Sequence, residues 1–395
     1  MQDLKSKIKE KSASILSEII SYRRHIHKNP ELAFEEFDTA AYISEVLMKH
    51  NIETDDSFGK NAVIGIINGI KETPVIALRA DIDALPINEA NDAEYKSKVA
   101  GKMHACGHDA HTASLLGTSI ILNELKSQIR GKIILIFQPA EEKIPGGAKI
   151  LVEKGIIEKY DIRHVIGQHV LPELETGSFA FGYGEMMAAT DELYISFTGI
   201  GGHAALPHKR SDTVLSLANF LYEINEFQKS IISDKPFVIA FGKINAPGAL
   251  NAIPSEAFAE GTMRTFNEEL RKRLKEKLNE IAEKSAEMYN CKARVNIREG
   301  YPAVYNNPDL YHKVLPFAID FAGEQKIKPM EVRMTAEDFA YYGQKVPSLF
   351  YRTGIAGNNK GYIGLHNPNF DIDEKSLEHS AGMMAYIAIN LLDYV

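Results

Sequence analysis

Short apolar runs alternate with helical patterns along this chain, and that rhythm narrows the folds open to it more than any other feature. "AVIGIIN" and "VIALRAD" are strand-like, "HTASLLGTSIILNEL" is helical in character, "KIILIFQP" reads as a buried strand, "GGAKILVEKGII" as a helix and "HVIGQHV" as a strand. Continuous apolar strands joined through helices imply crossover units over a largely parallel sheet that is covered by helices. The expected class is therefore α/β.

After about Met186 the rhythm changes. "DELYISFTG" is a strand, "SDTVLSLANFLYEINEFQ" a helix, "PFVIAFGKIN" and "SEAFAEGTMRT" a strand pair, "NEELRKRLKEKLNEIAEKSAEMYN" a helix and "KARVNIREG" a strand. The order β-α-β-β-α-β is that of a ferredoxin-like α+β domain. Its second helix carries an apolar stripe of Leu270, Leu274, Leu278, Ile281 and Met288, with Glu268/Lys272, Glu269/Arg273 and Glu280/Lys284 as favourable i,i+4 pairs. From about Tyr301 the helix, loop and strand character of the first part returns. We therefore expect a catalytic domain made of residues 1–185 and 301–395, with residues 186–300 inserted as a lid or dimerisation domain. A chain of 395 residues suits two domains.

Composition excludes several classes. Hydrophobic residues at 45% and charged residues at 25% are near average, which argues against disorder or a fibrous repeat. The formal charge of -8 is modest and its basic residues are scattered, so no nucleic-acid partner is expected. At the N-terminus Leu4, Ile8, Ile15, Ile19, Tyr22 and Ile26 recur at helical spacing and predict one amphipathic helix ending near Pro30. No segment offers the roughly 18 uncharged apolar residues of a membrane span, so no membrane partner is expected. Cys106 and Cys291 are the two cysteines, too few for a disulfide framework, which fits a reducing, cytoplasmic setting.

The chemistry concentrates in "MHACGHDAHT", where His104, Cys106, His108, Asp109 and His111 crowd together. Metal-capable donors also follow three other segments: Glu141 and Glu142 in "IFQPAEE", His169 in "IGQHV" and His366 in "GLHNPNF". Asp81 and Asp83 in "RADIDALP" again lie just beyond an apolar run. Groups at the carboxyl ends of parallel strands face one crevice, so topology brings these donors together. Thiolate, imidazole and carboxylate donors on separate elements are what a metal cluster needs. One carboxylate of the "EE" pair can bind metal while its neighbour holds a proton, and Asp81 and Asp83 can orient ligands and support that base. The surplus over four donors favours a two-metal site with an open water position. Two other readings of the same residues stay open: Cys106 as a nucleophile with a histidine base, and a metal-stabilised protein that binds acidic peptides without cleaving them.

Taken together, "RRHIHKNPELAFEE", "RADIDALP", "MHACGHDAHTA", "FQPAEE", "GGHAALPH", "NAIPSEA", "GTMRTF", "MTAEDFAYY" and "LHNP" resemble the amidohydrolase branch of the co-catalytic dinuclear metallopeptidases related to aminoacylase and glutamate carboxypeptidase. That branch includes N-acyl-amino-acid, hippurate and auxin-conjugate hydrolases. The resemblance implies Cys106, His108, Glu142, His169 and His366 as metal ligands, Glu141 as general base and Asp81 as its support. It implies two divalent ions, whether zinc, manganese, cobalt or nickel. It also places His203 where a histidine reaches the substrate and stabilises the tetrahedral intermediate, often across a dimer interface, and so implies a homodimer or higher homo-oligomer. Asn251 and Arg264 match substrate-binding positions, and a guanidinium suits a free α-carboxylate. The implied activity is hydrolysis of the amide bond of N-acyl amino acids by metal-activated water, with carboxypeptidase or dipeptidase action on short peptides as the alternative.

Overall fold

The structure is a computed structural model that describes residues 3–232 and 236–394. It separates into two compact units. One holds the chain up to Met186, then Tyr305–Glu331 and everything from Asp338 on; the other holds Met187–Val304 and Val332–Glu337.

An eight-stranded sheet organises the first unit, in the order Glu53–Asp55, Val63–Asn68, Lys132–Gln138, Val75–Asp81, Ile162–Glu175, Ser348–Ala356, Phe179–Phe181, Ile327–Pro329. Its four central strands run parallel. The pairs at its first edge and the pairing of Ser348–Ala356 with Phe179–Phe181 are antiparallel. Every residue of Val75–Asp81 is buried, as a strand covered on both faces requires. Register then decides what the carboxyl edge presents: Asp81 pairs with Gln138, Arg79 with Gly167, and Arg352 with His169.

The helices His108–Glu124 and Ser376–Leu391 are buried along almost their whole length, because their sequences are apolar or small all round. Gly117 permits one close approach: a Cβ there would lie 2.5 Å from Ile19 Cδ1 of the helix Leu16–Lys28. Two expected helices are each divided. The N-terminal pattern breaks at Ile15 into Leu4–Ser14 and Leu16–Lys28, where the Ser12 and Ser14 hydroxyls donate to the carbonyls of Lys9 and Lys11. "GGAKILVEKGII" forms Gly147–Glu153 and Ile156–Tyr160, interrupted at Gly155 in the left-handed region, φ 80°.

In the second unit Val238–Asn245, Glu256–Thr265, Ala189–Thr198 and Lys292–Glu299 form an antiparallel sheet in that order. With the helices Thr213–Ser230 and Glu268–Met288 this is the ferredoxin-like arrangement. Asp212 and Asn267 cap the two helices through the amides of Leu215 and Leu270. Alternate residues Leu193, Ile195 and Phe197 meet Phe220, Leu274 and Leu278 in its core. Met288 departs from the expected stripe and is 64% exposed, since Ser285 and Ala286 occupy the buried face of the last turn. Glu280 and Lys284 do pair, at 2.6 Å, whereas Glu268 turns to Arg271 at 3.1 Å. No described helix is long and apolar enough to cross a membrane.

Candidate metal centre

The donors of the first unit converge at the carboxyl edge of its sheet. Cys106 and His108 flank Gly107, which adopts φ 88° at the start of the helix His108–Glu124; a Cβ on Gly107 would come within 2.5 Å of Val170 Cγ2. Glycine is thus required for the chain to pass beside the strand that carries His169. Glu141 and Glu142 follow the strand Lys132–Gln138. His366, itself at φ 62°, is tied to this corner by its amide, which donates to Ala105 O at 2.8 Å.

Three donor sets are made by the five expected ligands with Glu141, and a further one joins Asp81, His108 and His111. The ligand atoms of Cys106, His108 and His169 all lie within 4.8 Å of one another, as do those of Cys106, Glu142 and His366, and those of His108, Glu141 and Glu142. Cys106 Sγ is 3.5 Å from His169 Nε2, and His366 Nε2 is 3.3 Å from Glu142 Oε1. The thiol belongs to two sets at once.

Tautomers follow from the partners. His108 Nδ1 lies 2.9 Å from the Asp83 carbonyl, which can only accept, so Nδ1 donates and Nε2 is left facing the cluster. That buried Nε2 finds no hydrogen-bond partner among the described residues. His169 Nδ1 donates to Val170 O at 2.8 Å, which turns its Nε2 toward the thiol. An orphaned imidazole nitrogen amid thiol, imidazole and carboxylate donors is a good fit for a divalent transition ion. Cys106 and Glu142 draw His366 up to about 10, while burial, and then the Glu142 charge, push the Cys106 thiol up.

His111 is differently employed. The Val170 amide donates to its Nε2 at 2.9 Å, so its proton sits on Nδ1 and is given to Asp81 Oδ1 at 2.6 Å. Both nitrogens are spent on anchoring, and burial lowers its pKa in keeping with a neutral ring. Asp81 Oδ2 accepts from Arg79 Nη1 at 2.8 Å and is 3.7 Å from His108 Nε2. Asp83 holds His108 by its carbonyl and the Glu142 amide by Oδ2, at 3.0 Å. His104 is buried, has no partner for either ring nitrogen among the described residues, and is pushed down to about 4 by burial.

Behind the donors stand residues of the same motifs that carry no expected ligand role. Arg79 links Asp81, Gln138 Oε1 at 2.8 Å and Asp338 Oδ1 at 2.9 Å, and Asp338 also receives the Ala148 amide at 2.9 Å. The available signal is the arginine itself, a charge within the apolar run "VIALRAD", which implies a buried partner. Arg23 ties Asp109, next to His108, to Asp371 and Glu374 beyond the His366 loop.

His203, Asn251 and Arg264 all lie in the second unit. His203 is exposed, on a short ladder in which it pairs with Ala252; the Ala204 amide donates to Asn251 O at 2.9 Å, and the Ala205 amide to His203 Nδ1 at 3.1 Å. This brings His203 and Asn251 side by side. Arg264, on the strand Glu256–Thr265, donates to Met263 O at 3.1 Å and to the Thr262 hydroxyl.

The chain matches Peptidase family M20/M25/M40 over residues 77–390. It belongs to that family. Among M20 relatives it is similar to thermostable carboxypeptidase 2 of Saccharolobus solfataricus, at 38% identity over 98% of both chains. It is also similar to an N-acetyl-L-cysteine deacetylase of Bacillus subtilis, at 35% identity over 96% of this chain and 90% of the relative. A solved M20 structure from Bacillus subtilis, described as a dinuclear metal-binding peptidase, superposes with a TM-score of 0.84 at 32% identity, covering 97% of this chain and all of that one (100%). This M20 chain is an enzyme, a metal-dependent amidohydrolase.

Proposed function

We propose that the enzyme hydrolyses the amide bond that joins an acyl group to an amino acid. The carrying observation is the pair of donor sets that share Cys106 beside Glu141. On this reading His108 and His169 would hold one divalent ion and Glu142 and His366 a second, with Cys106 within reach of both donor sets. When bound, the ions polarise the amide carbonyl and make water acidic enough to be deprotonated near neutral pH. Glu141 takes the water's proton and returns it to the nitrogen of the leaving amino acid. Asp81 and Asp83 keep the imidazoles and the Glu142 backbone in place. Arg264 and Asn251 hold the amino-acid carboxylate and His203 donates to the developing oxyanion; family membership and the match to substrate-binding motifs support these roles.

The relative named a deacetylase supports an N-acyl substrate, and the relative named a carboxypeptidase supports a second reading, cleavage of short peptides with the same residues. A panel of N-acetyl and N-benzoyl amino acids and dipeptides, incubated with zinc, manganese, cobalt or nickel, separates them. Mass analysis is expected to show free amino acid released from the N-acyl substrates, lost on chelation and restored by metal. Turnover that survives thorough chelation, or an acyl group trapped on Cys106, would instead assign the chemistry to the thiol.

A further inference from the structure

We propose that Glu36 is a positioning residue for this site: its carboxylate holds the Ala140 amide and thereby aims Glu141 and Glu142. The proposal rests on the roles assigned above to those two glutamates. Glu36 stands immediately before the helix Phe37–Lys49, where the ordinary use of an acidic side chain is to cap the helix. It does not do so: its side chain makes no capping bond. The helix's first amides are served by Glu31, which accepts from Asp38 N at 3.2 Å and Thr39 N at 2.7 Å. Glu36 is free to face inward and is fully buried, 0% exposed.

Both of its oxygens have defined partners. Oε1 accepts the Ala140 amide at 2.7 Å, and Oε2 accepts from Asn61 Nδ2 at 3.1 Å. Ala140 has φ 53°, a left-handed conformation that an L-residue adopts at a cost, and it directly precedes Glu141. Alanine has no side-chain bond with which to hold that conformation. The Ala140 carbonyl accepts the Gly147 amide at 3.0 Å, and the Glu142 amide goes to Asp83. The turn that carries base and ligand is thus held at its entry by Glu36, across its loop by Gly147 and at its exit by Asp83. Burial, with the Asp83 charge next, pushes the Glu36 carboxyl up to about 7, so this placement opposes its ionisation and is not explained by charge pairing.

Partners that orient metal ligands typically influence metal affinity or activity by about 10–100-fold. Glu36→Ala is accordingly expected to weaken cobalt(II) binding about 10-fold or more, read by competition with a chromophoric chelator. It should alter the cobalt absorption bands and lower kcat by a similar factor, with KM within about twofold. Glu36→Gln, whose amide oxygen can still accept the Ala140 amide, is expected to restore affinity and kcat to within about threefold of the parent. If E36A does not fold, Asn61→Ala, which leaves the carboxylate but frees one of its oxygens, should weaken cobalt binding about threefold. Unchanged cobalt affinity and spectrum in E36A or N61A would overturn the proposal, as would an E36Q variant that falls as far as E36A. Cobalt affinity is measured without substrate, so it distinguishes failure of this proposal from failure of the hydrolytic reading, which would show as an inactive parent enzyme.

Discussion

Glu141→Gln is expected to lower kcat by about two to four orders of magnitude while the protein keeps its metal. That range is what a positioned general acid–base group contributes. Glutamine preserves the shape of a side chain that is only 6% exposed, but it cannot take a proton at neutral pH. Glu141 stands where such a group is needed, with its carboxylate 4.0 Å from the orphaned nitrogen of His108. Steady-state kinetics with elemental analysis of the same samples checks both parts. Near-full turnover with metal retained would remove Glu141 from the role of base; loss of metal together with activity would make it a ligand.

Arg23→Met is expected to cost about 3–5 kcal/mol of stability, the usual penalty for stranding one member of a buried ion pair. Arg23 is 0% exposed and spans Asp109 at 2.8 Å, Asp371 at 3.0 Å and Glu374 at 3.3 Å. Burial alone would raise the Asp109 pKa, but the Arg23 and His27 charges outweigh it and hold the carboxyl far below the usual range. A carboxylate depressed in this way stabilises the fold above its unfolded pKa, about 4, and that contribution is lost as pH falls toward its folded value. The difference between parent and variant should therefore be greatest at neutral pH and shrink below about pH 4. Urea unfolding across that range measures it, and a penalty under about 1 kcal/mol at pH 7 would show that the Arg23 network does not stabilise the fold.

The legible parts of this protein are those written in local pattern. Runs such as "KIILIFQP" and "VIALRAD" announce buried strands because most of their positions are apolar, and the alternation of Leu193, Ile195 and Phe197 gives the half-covered sheet of the second unit. The candidate metal donors are legible for the same reason, since polar residues such as Glu142 and His169 interrupt or follow apolar strands. Pairings between distant segments leave no such trace. Nothing local to "NPELAFEEF" says that Glu31 caps the helix while Glu36 turns to Ala140, or that Arg23 meets Asp371. His108 and His111 fall on one helical face by spacing alone; only the Asp83 carbonyl and the Val170 amide tell the donor from the anchor.

Cys106 is common to both donor sets proposed to hold the two ions. Cobalt(II) titration of the metal-free protein, followed through the sulfur-to-metal charge-transfer band and closed by elemental analysis, shows whether its thiolate takes part in binding both. The expected result is two ions per chain with a thiolate band in the parent, and in Cys106→Ser no band and weakened binding of both ions. A single ion per chain, or a C106S variant that binds both ions as tightly as the parent, would contradict it.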